Sequence, residues 1–239
     1  MKNILTIILG FCTAFAVANV DPQPGPKPKN IGIALFRAWQ PMDVFGVFEA
    51  LWELGLLTPI NVYLIDADGS AAMVKPFNPF ATGSNTTATV LADYSFDNAP
   101  PLDVWIVGGG IGTRDNATMA PVIEFTKKVY PSLQYMISVC TGASVLARAG
   151  ILDGKRATTN KNAWAFVTQF GQRIRWQPHM RYVRDGNVWT TSGVSAGVDG
   201  ILGWIEYVWG TNVSTTVTNA MEWYHSGAND DIFGTLHGL

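Results

Sequence analysis

Two side chains in this sequence have the type and setting to form a reactive pair. The chain holds two cysteines, Cys12 and Cys140, and only the second lies in a setting suited to chemistry. It sits in Ser138-Val-Cys-Thr-Gly-Ala143, after an apolar run over 135–139 and before a helical pattern over 142–149. The thiol therefore falls at a strand-to-helix turn, where unpaired backbone N–H groups favour thiolate relative to the free-thiol pKa of about 8.5. Thr141 and Gly142 are small enough for the tight turn, which gives a nucleophile elbow in sulfur form. Asp43, in Asp43-x-x-Gly46-x-x-Glu49, opens the first helix just beyond another strand end. A carboxyl there can reach the same crevice and accept or donate a proton once per turnover. The same Asp equally suits a helix N-cap. Gly46 permits close packing, and Glu49 points away around the helix.

Other constellations are weaker. Gly108-Gly-Gly-Ile-Gly112 fails the dinucleotide fingerprint because Thr113 stands where the last glycine belongs. Gly150-Ile-Leu-Asp-Gly154-Lys-Arg is one residue short of a P-loop. Glycines at the end of the 103–107 strand can instead offer N–H groups to an anion opposite Cys140. Gly193-Val-Ser195-Ala-Gly197 matches a serine elbow, with Asp230 and His237 downstream as formal partners, but little chain follows for such a fold. His179, His225 and His237 lack zinc-ligand spacing, so no metal site is expected. A non-catalytic alternative is a redox-responsive Cys140.

These residues need elements to position them. The continuous apolar run over 31–36 reads as a strand buried on both faces, and 61–65, 103–107, 135–139 and 187–191 read as further strands. Helical spacing appears over 43–54, 121–130, 142–149 and 196–209. Residues 74–94 read as an irregular hairpin excursion. Strands alternating with helices predict an α/β fold whose parallel sheet is covered on both faces, with ligands beyond the strand carboxyl ends.

Residues 1–18 have the lysine, apolar core and Ala-Val-Ala end of a secretory signal peptide, and 19–29 form a proline-rich leader. That leaves 30–239 as one domain. On this reading the protein is secreted, and the mature chain keeps Cys140 as its one thiol. Sequons at Asn85, Asn116 and Asn212 fit a glycoprotein. The formal charge is −2. The basic stretch Arg173, Arg175, Arg181 and Arg184 is expected to be a solvated strand face, so neither nucleic acid nor membrane is an expected partner.

Taken in order, Asp43-x-x-Gly-x-x-Glu, Gly-Gly-x-Gly-Thr-Arg114, Ser-Val-Cys-Thr-Gly, Gly150-Ile-Leu-Asp-Gly-Lys-Arg-Ala-Thr-Thr159, Asp185-Gly-Asn-Val-Trp-Thr-Thr-Ser-Gly and Asp230-Asp-Ile-Phe-Gly234 resemble the ThiJ/PfpI superfamily. This superfamily is class I glutamine amidotransferase-like, and the resemblance is to its isonitrile hydratase branch over about 30–234. It implies a flavodoxin-like three-layer sandwich with a mainly parallel central sheet, commonly a homodimer, with no cofactor and a small electrophile as substrate. It makes Cys140 the nucleophile and Asp43 the acid beside it, with Thr141 and the backbone of Gly109 and Gly110 holding the intermediate. Trp39, Phe45 and Trp164 are candidate walls of an apolar pocket. Two departures stand out. Thr141 replaces the His that follows Cys in the protease-like branches. Asn160-Lys161 stands where hydratase-like sequences continue with His-Trp.

Overall fold

The computed structural model describes residues 25–69, 71–73 (backbone) and 86–239. The leader reading of 1–18, most of 19–29 and the Asn85 sequon lie outside these residues. The chain runs β1 (Asn30–Ala34), α1 (Pro41–Gly55), β2 (Asn61–Asp66), β3 (Ala71–Met73), β4 (Thr89–Leu91), β5 (Tyr94–Ser95) and β6 (Val104–Val107). It continues through α2 (Asn116–Val129), β7 (Tyr135–Ser138), α3 (Ala143–Arg148), β8 (Arg156–Ala157), α4 (Trp164–Thr168) and β9 (Arg175–Trp176). The last elements are β10 (Tyr182–Asp185), β11 (Val188–Thr191), α5 (Val194–Trp209), α6 (Thr211–Ala220) and α7 (Phe233–Leu236).

The main sheet has the order β10-β11-β7-β6-β1-β2-β5. Every pairing in it is parallel except β10 with β11. This is the flavodoxin-like α/β architecture that the alternating pattern predicts. The central strands β6, β7 and β11 are buried along their whole length, as a sheet covered on both faces requires, with Thr190 and Thr191 buried among the apolar residues. Helix α1 packs on α5 and α6, while α2 packs on α3 and α3 on α4. From β1 the chain passes to β2 on one side and returns to β6 on the other. A crevice opens beyond the strand carboxyl ends at such a reversal.

Two local readings change. Helix α2 starts five residues before Pro121, because Asp115 accepts a hydrogen bond from the Thr118 N–H at 2.8 Å and caps it. Pro121 thus lies inside the helix rather than near its start. The basic stretch is not one solvated face. Arg175 lies 3.6 Å from Asp185, but Arg181 is buried and its guanidinium pairs with Asp199 of α5. Asp199 also accepts from Trp223 Nε1 at 2.8 Å and the Ser226 N–H at 3.1 Å, so one carboxylate ties the segment leading into β10, α5 and the C-terminal segment together. No helix among the described residues is long and apolar enough to cross a membrane.

A buried charge whose partner is removed is left uncompensated, which costs about 3–5 kcal/mol. Asp199→Ala should lose that much in a denaturant titration. A loss under about 1 kcal/mol would mean that the segments hold together without this carboxylate.

Candidate active site

Three segments converge in the crevice: the start of α1, the glycines after β6, and the turn after β7. Cys140 lies in that turn with φ of 56°, a left-handed conformation costly for a residue with a Cβ. Its surroundings enforce the strain. The Cys140 N–H donates to Ser192 O at 2.9 Å, and its carbonyl accepts from Thr159 Oγ1 at 2.8 Å. A Cβ on Gly142 would stand 2.1 Å from Val107 O, so only glycine lets the turn sit this close to β6.

Asp43 is the third residue of α1, after Gln40 at the N-cap position and Pro41, and its side chain does not cap the helix. It turns instead towards the glycines, accepting from the Gly109 N–H at 2.8 Å through Oδ2 and hydrogen-bonding the Cys140 thiol. Oδ1 is buried without a partner. Burial pushes the Asp43 pKa from 3.8 up to about 7, against the pull of the Gly109 N–H and the Cys140 thiol.

The thiolate expected from the turn's N–H groups is not the resting form. Burial, then the Asp43 charge, drives the Cys140 pKa well above its ordinary value. The Thr141 N–H and the Asn160 side chain, both bonded to the sulfur, pull it down by less. Desolvation wins because the residue is only 6% exposed. The resting pair is therefore a protonated thiol beside a carboxyl poised near neutrality.

The neighbouring amides are occupied. The Gly109 N–H is taken by Asp43, and the Gly110 N–H donates to Thr141 Oγ1 at 3.0 Å. The resemblance implies that these two amides hold an intermediate; in the structure each already has a side-chain acceptor. A Cβ on Gly109 would lie 2.6 Å from Thr141 Oγ1 and 2.9 Å from Asp43 Oδ2, so this glycine lets the two side chains approach each other. Thr113 Oγ1 adds bonds to Gly110 O at 2.8 Å and Thr141 Oγ1 at 3.1 Å.

The aromatic candidates lie in two separate places. Trp39 is buried with Phe45 edge-on at 5.2 Å, while Trp164 packs against Trp176 at 5.9 Å. A cleft of about 290 Å³ that shares Asn160 and Ser192 with the cysteine's surroundings is walled instead by Lys161, Arg181, Asp231 and His237 among others. Sequence reasoning gave Thr113 and Thr159 no role beyond their motifs and marked Asn160 only as a departure from the hydratase-like His. Their contacts here come from tertiary packing of segments distant in sequence. Ser195 is exposed inside the first turn of α5, without the positive φ of an elbow. Its hydroxyl accepts from Arg181 at 3.4 Å, and Asp230 binds the Gly227 N–H. Asn116 and Asn212 are exposed. No group of three or more metal-ligating side chains occurs among the described residues.

Asp43 holds its proton to about pH 7 when folded, against 3.8 for its ordinary value. Between these values the native state binds more protons than the unfolded chain, so stability falls as pH rises, and the cost is complete above about 7. The shift corresponds to about 4 kcal/mol. Asp43→Asn should flatten stability across this window and melt higher than the parent above neutrality. Parallel pH profiles for the two proteins would show that Asp43 does not carry this proton.

The model of the DJ-1/PfpI family matches residues 30–206. The chain is 30% identical to an isonitrile hydratase of Pseudomonas putida over 206 residues, covering 84% of this chain and 83% of that protein. It is also 30% identical over 200 residues to the HTH-type transcriptional regulator GbdR of Pseudomonas aeruginosa, covering 82% of this chain but spanning only 51% of the regulator. Among solved structures, a ThiJ/PfpI family protein from Pseudomonas syringae superposes with a TM-score of 0.67 at 22% identity, over 87% of this chain and 79% of that one. With family model and fold in agreement, this chain belongs to the DJ-1/PfpI family.

Proposed function

We propose that this protein hydrates an isonitrile to an N-formamide, with Cys140 as nucleophile and Asp43 as proton carrier. The observation that carries the reading is the buried Asp43 carboxyl bonded to the Cys140 sulfur with its pKa near 7. An isonitrile must receive sulfur and a proton on the same carbon, so the acid has to adjoin the nucleophile. The isonitrile hydratase relative, matched across most of both chains, supports the same reading.

Asp43 accepts the thiol proton as sulfur attacks the terminal carbon, then returns it to that carbon. The product is a thioimidate, R–N=CH–S–Cys140. Water next adds to the same carbon while Asp43 takes a water proton and passes it to nitrogen. Collapse of the tetrahedral adduct expels sulfur, which regains the hydroxyl proton, and releases R–NH–CHO. The Thr141 hydroxyl lies beside this centre to steady the adduct, and the Gly109 and Gly110 amides position Asp43 and Thr141. The narrow approach to a 6% exposed cysteine suits a slender, linear head group. The substrate is small, no cofactor takes part, and secretion, glycosylation and a homodimer belong to the same proposal.

Two other readings fit less well. Oxidation follows thiolate character and exposure, and Cys140 has little of either at rest. Ser195 lacks both elbow strain and a hydrogen bond to His237.

The test is formamide formation from an aromatic isonitrile. The parent protein should form it, Cys140→Ala should form none, and Asp43→Asn should be slower by about 10²–10⁴-fold. Because Asp43 must be ionised to take the thiol proton, kcat/KM should rise through about pH 7 on the acid side. Turnover retained in Cys140→Ala would overturn the mechanism.

A further inference from the structure

The Asn160 side chain adjoins the Cys140 thiol and also lines the cleft. Its Oδ1 accepts the Ala163 N–H at 2.9 Å, which directs the amide nitrogen away from that turn. On the other side, a Cβ at Gly193 would meet Nδ2 at 2.9 Å, so the glycine leaves room for the amide and confines it. Nδ2–H is therefore the group of Asn160 left to face Cys140, and the Asn160 side chain pulls the thiol pKa down.

The backbone on both sides of Asn160 is fixed. Thr159 Oγ1 donates to the Cys140 carbonyl at 2.8 Å, and Thr158 N–H donates to Thr190 Oγ1 at 2.9 Å. The buried Lys161 ammonium donates to Thr158 Oγ1 and Met180 O, both at 2.8 Å, and to Thr159 O at 3.3 Å. A hydrogen bond from an amide this firmly held loses little to reorganisation when charge appears on sulfur.

We propose that Asn160 is a third catalytic residue, donating from Nδ2 to the Cys140 sulfur and stabilising the thiolate when its proton passes to Asp43 and again when sulfur leaves the adduct. With the Thr141 N–H it forms a two-donor cradle for the sulfur. An amide does not titrate, so this donor is present at every working pH. Asn160 therefore adds no ionisation of its own to the site, whereas an imidazole at this position would bring one near 6.5. The inference rests on Cys140 as the reacting group and not on the identity of the electrophile.

Its test is the alkylation rate of Cys140 by iodoacetamide. Below the thiol pKa this rate follows the thiolate fraction, so a one-unit rise in pKa slows it about tenfold at fixed pH. The parent, Asn160→Ala and Asn160→Asp are compared at about pH 8, with thermal melts and the ultraviolet thiolate absorbance of each. Asn160→Ala should react about tenfold more slowly than the parent. Asn160→Asp, which keeps the acceptor for Ala163 but puts an anion against the sulfur, should be slower still. The order parent, Ala, Asp supports the donor role. If Asn160 only covers the sulfur, trimming it to Ala exposes the thiol, and a rate equal to or above the parent's overturns the proposal. Should Asn160→Ala fail to fold, a rate for Asn160→Asp equal to or above the parent's overturns it as well. Slow alkylation in these variants together with no isonitrile turnover in the parent would sustain Asn160 and displace only the isonitrile.

Discussion

The site depends on a carboxyl and a thiol sharing one hydrogen bond inside a desolvated crevice. Neither group is comfortable there. Burial raises both pKa values, and one carboxyl oxygen of Asp43 has no partner. Full neutralisation by a cation would have fixed Asp43 as a carboxylate and ended its use as a proton carrier. What is provided instead is one N–H from Gly109, enough to orient the side chain without fixing its charge. Partial satisfaction leaves the carboxyl balanced between two protonation states near neutral pH.

The strand ends supply this balance. β1 delivers α1, whose third residue turns inward instead of capping the helix. β6 delivers glycines that let Asp43 and Thr141 come within contact of the same backbone. β7 delivers a cysteine in a strained conformation, held by Ser192 and Thr159 from beyond β11 and β8. Strain of this kind persists only where surrounding bonds over-determine it, and here both backbone polar groups of Cys140 are engaged by other segments. The elbow is thus a tertiary feature, although its sequence signature is local.

That distinction explains how much could be read from residues alone. Apolar runs separated by helical periods reveal a parallel sheet with a crevice at its carboxyl ends, because desolvation of both faces leaves its mark on every central strand. Cys140 and Asp43 are legible because each stands at a strand end. The charge state of the pair is not. The turn's N–H groups argue for thiolate, and the opposing term is burial, which depends on packing between segments remote in sequence. Asn160 is visible in sequence as a departure from His but not as a partner of sulfur, since that contact depends on Thr159, Ala163 and Gly193 acting together. Arg181 reads as one of four surface arginines until α5 brings Asp199 to it.

A protonated thiol at rest changes what kind of reactivity the site has. An exposed low-pKa cysteine is attacked by any oxidant or electrophile it meets. In the proposed reaction sulfur becomes nucleophilic only as its proton moves to Asp43, and donors already aimed at the sulfur lower the cost of that move. The electrophile must also be slim enough to reach a nearly covered atom. Selectivity then arises before any pocket contact is made, from the requirement that attack and proton transfer occur together in a dry, confined space. A buried thiol of this kind is shielded from adventitious oxidation, and the same desolvation that raises its pKa strengthens every hydrogen bond formed to the charge once it appears.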